Sequence, residues 1–353
     1  MTGVGRKLVL VFTFFLLLFS AEAQQQYYKF KIAKGGVYHL TDTQAKQVGA
    51  SSISEISIFG YPGVLPQKLD SANLELQEIA AKEENGELFF YLSDPYNSSY
   101  DSKGEVHYTP NLFSDSLSFL VSKNQNPKRI STIKGIATNQ NPSVLYQWNW
   151  LKEEENNILS SGRTWYSRSL APGITRGYAF PLQNSSNAPW KASGILMASS
   201  LTPASITLGT ESQTITVLQI NPILNSTYAI KGREVSINLD FRPSGNKIER
   251  LRLSFSSIDP NASGYFNYLG IGVPYSSLDL FSGTYLIPKE NLISISTKVG
   301  QKIWGLNDFF NPKEYDLISG NGATVQKLVV FDPNQSVEIK TLTSTSQNLR
   351  SQG

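Results

Sequence analysis

The chain has 353 residues, of which 40% are hydrophobic and 17% charged, and a net charge of +3. The composition excludes a disordered or collagen-like chain, and the length suggests about two domains. There is no cysteine, which excludes a disulfide framework, a thiolate metal site and a cysteine nucleophile, and with two histidines a multi-histidine metal centre is hard to build.

The first segment reads as an address. Arg6 and Lys7 precede an apolar run from Leu8 to Phe19, broken only by Thr13, and Ala21-Glu22-Ala23 follows. This is the three-part pattern of a secretory signal, and the run is shorter than the ~20 residues a membrane-spanning helix needs. Residues 1–23 are therefore expected to be a signal peptide, cut between Ala23 and Gln24. No cysteine follows to carry a lipid. Export without cysteine fits a bacterial envelope better than eukaryotic secretion, where disulfides are usual. The sequons at Asn97, Asn184, Asn225, Asn261 and Asn334 are expected chance matches in a chain rich in Asn and Ser.

From residue 24 the chain reads as β. Tyr27 to Ile32 alternates in part, Gly35-Gly36 turns the chain, and Val37 to Leu40 returns. A short helix is predicted from Thr41 or Asp42 to Val48, stopped by Gly49. Strands are predicted over Glu55 to Phe59, Leu74 to Ile79, Glu87 to Leu92, Leu117 to Val121 and Arg129 to Ile133. Glu87 to Leu92 is apolar on both faces, which places it inside a sheet. A change of composition over Ile136 to Ser143 marks a joint. The acidic stretch Leu151 to Leu159 reads as helix. Closely spaced strands follow over Gly177 to Leu182, Ser193 to Ser199, Ser205 to Leu208, Thr214 to Leu218, Glu234 to Phe241, Arg250 to Phe255 and Tyr265 to Ile271. Such spacing suggests a jelly-roll-like sandwich. Tyr285 to Lys340 again alternates strand and turn. The fold class is thus mainly β. A small β-rich domain spans residues 24–140, a β-sandwich residues 141–283, and a β-rich tail residues 284–353.

Signs of chemistry are few. His39 and His107 would each need a serine and a carboxylate to form a triad, and a strand position is the simpler reading. Asp94, Asn97, Asp101 and Glu105 fall in a polar loop, Ser93 to Glu105, that could hold calcium, but their spacing fits no EF-hand and solvated turns use the same residues. The five tryptophans, Trp148, Trp150, Trp165, Trp190 and Trp304, fill a core or an interface more readily than they stack on sugars. The cationic residues are dispersed, so no nucleic-acid partner is expected, and nothing asks for a cofactor.

Several short segments, in order, resemble the front region of the sortases of the type IX secretion system, among the gingipain-type cysteine peptidases of Bacteroidota. They are Tyr28 to Ile32 with Gly36 to Leu40, Ile56 to Gly60 with Leu65-Pro66, Glu87 to Tyr91, Glu154 to Asn157 with Ser161-Gly162-Arg163-Thr164-Trp165, Gly264 to Leu269, Ile303 to Asp308, and Gln347-Asn348-Leu349. The resemblance implies a surface sortase that removes C-terminal sorting signals from cargo and is held by an outer-membrane β-barrel partner. In that family a peptidase domain follows the Asn-Leu link. Here four residues follow Leu349, and Arg350 stands where the family has His, so no catalytic Cys or His has a counterpart among these residues. The resemblance therefore implies a non-catalytic accessory role for the chain, with cargo met through the peptidase domain. It points to Arg163, Trp165, Tyr268 and Trp304 as structural or interface residues. Arg163 would pair with a carboxylate of the acidic stretch and Trp165 would anchor the joint. Two other classes fit the residues: an exported carbohydrate-binding or adhesin-like sandwich, and an outer-membrane barrel, which the short, Pro-interrupted strands disfavour.

Overall fold

The computed structural model describes residues 26–64, 75–137, 143–160, 162–184, 186–316 and 321–345. The signal segment through Gln24, Leu65-Pro66, Ser161 and Gln347 to Arg350 lie outside the described residues.

The first part holds β1 (Tyr27–Ile32), β2 (Gly36–Thr41), α1 (Asp42–Gln47), β3 (Ile56–Phe59), β4 (Glu78–Ile79), β5 (Lys82–Glu84), β6 (Glu87–Leu92), β7 (Tyr96–Tyr100), β8 (Val106–Pro110), β9 (Leu117–Lys123), β10 (Ser131–Lys134) and β11 (Ile136–Ala137). Next come β12 (Val144–Lys152), β13 (Thr175–Gln183), β14 (Trp190–Ser199), β15 (Ala204–Gly209), β16 (Thr214–Ile220), β17 (Arg233–Phe241), β18 (Lys247–Ser257) and β19 (Ser263–Ser276). The last are β20 (Gly283–Ser294), β21 (Lys302–Gly305), β22 (Lys313–Asp316), β23 (Asn321–Phe331), β24 (Val337–Glu338) and β25 (Thr343–Ser344). The expected helix forms as α1: the Thr41 N–H donates to Gln44 Oε1 at 2.7 Å, and Gly49 takes a φ of 83° just beyond the end.

Two sandwiches result. The first packs the sheet β25-β1-β9-β3-β4 on the sheet β24-β2-β6-β5 around Phe30, Ile58, Leu88, Phe90 and Phe119. The second packs the four-stranded sheet β13-β18-β15-β16 on one part of a ten-stranded sheet, β10-β22-β21-β23-β20-β12-β19-β14-β17, with β11 against β23. Its core includes Trp190, Leu196, Leu251, Phe255 and Phe266, all buried. Among the described residues no sheet closes into a barrel. The protein is thus mainly β, with a β-sandwich as expected. Among the described residues no helix is long and apolar enough to cross a membrane.

Pairing runs across the expected joint at Ile136 to Ser143. β10 lies parallel to β22, β11 pairs with β23, and β24 and β25 return to β2 and β1. The apolar character of β6 on both faces follows from this. Leu88, Phe90 and Leu92 point into the first sandwich, while Phe89 and Tyr91 pack on Trp304, Leu306, Val329 and Phe331 from the tail strands.

One element differs in kind from expectation. Leu151 to Leu159 forms no helix: Leu151 and Lys152 end β12, paired with Leu269 and Tyr268 of β19. The acidic residues beyond them have no apolar stripe to bury. They run as irregular chain, held where Asn156 pairs with Tyr166 and Arg168 meets Glu155 at 3.0 Å. Sheet pairing outweighs the favourable helix propensity of Glu and Lys, which tertiary context readily overrides.

Candidate functional site

The most distinctive local chemistry lies where the hairpin β7–β8 covers the outer face of β12 and β19. Trp148 and Trp150, two residues apart on β12, project to the same face and stack with ring centroids 5.1 Å apart and planes at 14°. They lie across the partner strand because their register mates are glycines, Trp148 opposite Gly272 and Trp150 opposite Gly270. A Cβ at Gly270 would fall 2.2 Å from the Trp150 ring, and one at Gly272 2.9 Å from the Trp148 ring. The hairpin closes over the pair. Tyr108 sits 4.5 Å from Trp150 and 4.8 Å from Tyr268, and the Trp148 indole N–H donates to the Tyr100 hydroxyl at 3.0 Å. The Trp150 indole N–H is buried with no hydrogen-bond partner among the described residues. Burial pushes the Tyr96, Tyr100 and Tyr108 hydroxyls well above their ordinary range, with Asp94 adding to the rise at Tyr96 and Glu154 and Asp94 at Tyr108. All three stay protonated at neutral pH.

Beside this cluster a cleft of roughly 810 Å³ opens between the β1–β2 turn, β12 and the tail strands. Tyr96, Trp148 and Trp150 line one side, and Gln147, Asn149 and Phe180 another. Gly283, the first residue of β20, leaves the space that the Gln147 amide occupies: a Cβ there would lie 2.0 Å from Nε2.

The expected polar loop Ser93 to Glu105 is in part strand β7. Its carboxylates serve the backbone. Asp94 accepts the Gly35 N–H at 2.7 Å, and Asp101 accepts those of Lys103 and Glu105 at 2.8 and 2.9 Å. Among the described residues no group of three or more His, Asp or Glu converges on a metal-sized position. Asp101 also meets His107 Nε2 at 3.0 Å, and this contact first, then the Glu105 N–H, holds its carboxyl down to about 2 from an ordinary 3.8. A depressed carboxyl stabilises the fold above its unfolded value and loses that contribution as pH falls toward 2. We expect His107→Ala to move the Asp101 midpoint back up toward 3.8, read by side-chain NMR titration; an unmoved midpoint would leave the backbone amides as the sole cause.

His39 comes near both missing triad partners, with Ser336 Oγ 2.7 Å from Nδ1 and Glu87 3.9 Å from Nε2. The geometry is not that of an activated nucleophile. The single hydroxyl proton of Ser336 is donated to the Pro333 carbonyl at 2.7 Å, so the His39 ring donates to Oγ rather than accepting from it.

The other residues singled out in the sequence separate in space. Trp304 is fully buried, edge-on to Phe331 at 4.7 Å, and its N–H donates to Glu314 at 3.2 Å. Tyr268 belongs to the aromatic cluster. Arg163 is exposed, and Trp165 is 38% exposed, with its carbonyl accepting from Lys152 Nζ at 2.7 Å. The buried aromatic of this segment is its neighbour Tyr166, whose hydroxyl donates to Glu234 at 2.6 Å. Sequence reasoning missed Trp148–Trp150 as a stacked pair. The signal was the spacing Gly270-Ile271-Gly272 together with Trp148-Asn149-Trp150, legible only once the two strands are known to pair.

These features define a cysteine-free, mainly β protein of several packed sheets, with no cysteine-peptidase site in this chain. Among solved structures, the chain is similar to dimeric latent PorU from Porphyromonas gingivalis, with a TM-score of 0.75, 19% identity, and coverage of 92% of this chain and 33% of that one. The chain thus spans about a third of the length of that structure, and at this identity the likeness shows a shared fold. Two further similarities are to the CBM36-1 domain of a multidomain xylanase from the hindgut metagenome of Trinervitermes trinervoides (TM-score 0.24, 13% identity, 37% of this chain and 97% of that one) and to the insecticidal delta-endotoxin Cry8Ea1 from Bacillus thuringiensis (TM-score 0.25, 10% identity, 45% and 28%). Neither is close enough to carry weight. No family model matches the sequence, and no curated protein does.

Proposed function

We propose that the chain is the non-catalytic front region of a sortase-type protein of the type IX secretion system, exported by its first 23 residues and held at the cell surface through an outer-membrane barrel. The observation that carries this reading is the fold shared with PorU over 92% of the chain. A chain without cysteine supports an accessory part: these sheets present or shield a peptidase domain and make protein contacts, while the bond chemistry belongs to that domain. Arg163 and Trp165, both exposed, are offered as contact residues in this reading, and Trp304 and Tyr268 as structural ones. The alternative, a carbohydrate-binding sandwich, finds its aromatic pair already covered. Trp148 stacks on the Trp150 ring and Tyr108 packs against it at a tilt of 35°, so little ring face is left for a sugar.

The test is isolation of the native protein from the envelope of the bacterium that makes it, with crosslinking before solubilisation. The reading expects an outer-membrane barrel to be captured and the gene to continue into a domain that carries a Cys and a His. A native intact mass equal to residues 24 to 353, with no barrel captured, would remove the sortase reading.

A further inference from the structure

Lys152 is the last residue of β12, and three groups converge on its ammonium. Nζ donates to the Asn267 side-chain carbonyl at 3.0 Å and to the Trp165 backbone carbonyl at 2.7 Å, and the Glu154 carboxylate lies 3.6 Å away. Only 15% of the Lys152 side chain is exposed, and burial holds its ammonium below the ordinary lysine range against the opposing pull of Glu154. An irregularity in β19 brings Asn267 to this place. Ile195 of β14 stands opposite Tyr268 and Leu196 opposite Phe266, so Asn267 is an extra residue with no mate on β14. Such bulges re-aim side chains. Phe266 and Leu269 both enter the sandwich core, which leaves Asn267 and Tyr268 together outside it.

We infer that Lys152 and Asn267 join in an intramolecular amide, formed by the folded chain itself. Nζ already touches the Asn267 oxygen, and Cγ lies one carbonyl bond of ~1.23 Å beyond it. The ammonium first yields a proton to Glu154, and the free amine is the nucleophile. Nζ bonds to Cγ and the Cγ–Nδ2 bond breaks. A second Nζ proton passes to Nδ2, which leaves as ammonia and collects the Glu154 proton as ammonium. Nothing is oxidised or reduced, and no co-reactant is consumed. The Trp165 carbonyl holds Nζ beside the amide, the positioning such a step needs. Glu154 is half exposed, which gives ammonia an exit to water. The bond closes the chain from β12 to β19, and every strand of the sheet β13-β18-β15-β16 lies within that loop. Disulfides commonly close such loops in exported proteins, and this chain has no cysteine. The inference is independent of the sortase reading.

The experiment is tandem mass spectrometry on a digest of the unaltered full chain. A branched peptide is expected, joined through Lys152 and Asn267 and lighter by one ammonia than its two arms apart. A cyclised N-terminal glutamine loses the same mass, but in a different peptide. Lys152→Met, which keeps the apolar stem, should abolish the branch. Asn267→Asp should form it with loss of water in place of ammonia. In chain freshly made in a cell-free extract, Glu154→Gln should slow the linkage by about a hundredfold or more. If the variants fail to fold, the digest of the unaltered chain decides. Recovery of the Lys152 and Asn267 peptides only as separate, full-mass species, or an unchanged rate of linkage in Glu154→Gln, would overturn the proposal.

Discussion

Trp304→Ala is expected to cost about 3–5 kcal/mol of stability, the range for removing a large aromatic from a closed core. The ring is fully buried, packs edge-on against Phe331, and lies in the cluster where Phe89 and Tyr91 of the first sandwich meet the tail strands. Its indole N–H also holds Glu314. Burial there works to raise that carboxyl, but the Trp304 bond, Lys302 and Lys82 together keep it below its ordinary value. Removing the indole leaves a half-buried carboxylate one donor short, a loss that adds to the cavity. Because the cluster is shared, denaturant unfolding followed by probes in the first sandwich and in the tail should shift at both. Trp304→Phe retains most of the volume and should lose less. A loss of under about 1 kcal/mol for the alanine variant would mean that the two parts are not held together through this ring.

Gly270→Ala should destabilise by about 1–3 kcal/mol, although alanine ordinarily improves on glycine inside a strand. The added methyl would fall 2.2 Å from Trp150, and that ring is hemmed in by Trp148, Tyr108 and Tyr268. The expected optical sign is a reduced near-ultraviolet circular dichroism from the stacked indoles. Gly177→Ala is the matched control. It also lies within a strand, but its nearest neighbour is the Arg250 side chain at 3.9 Å, an ordinary contact. If both variants behave alike, the glycine is not what permits the stack.

How much of this was legible beforehand depended on the range of the cause. Local patterns were readable: the Thr41 cap and Gly49 stop of α1, and the short alternating strands of the second sandwich, came from residues within one turn or strand of each other. The two-faced apolarity of β6 was readable as an interior position, but not its second partner, since the tail strands lie more than 200 residues further on. Asn85-Gly86, with φ of 52° and 79°, is a local hairpin signal that joins β5 to β6, although the charged Lys82–Glu84 has no strand-like alternation of its own. The hairpin β7–β8 was hidden by composition: Tyr-Asn-Ser-Ser-Tyr looks like loop until Tyr96 is seen packing on Tyr108 and Tyr100 on Trp148. The false helix at Leu151 failed for the converse reason, a local propensity overruled by a strand 118 residues away, where Leu151 pairs with Leu269 of β19.

The return of the tail to the start of the chain bears on how the protein is made. Thr345 donates its N–H to the Tyr27 carbonyl at 3.0 Å, 318 residues away in sequence, and Gln44 reaches Glu338. A chain that emerges from a translocon N-terminus first therefore presents β1 and β2 with their outer edges bare until the last strands arrive. Closing so long a span is slow, and open edges invite wrong partners in the interval. If the chain is exported as proposed, its first strands would need holding on the far side of the membrane until β24 and β25 dock.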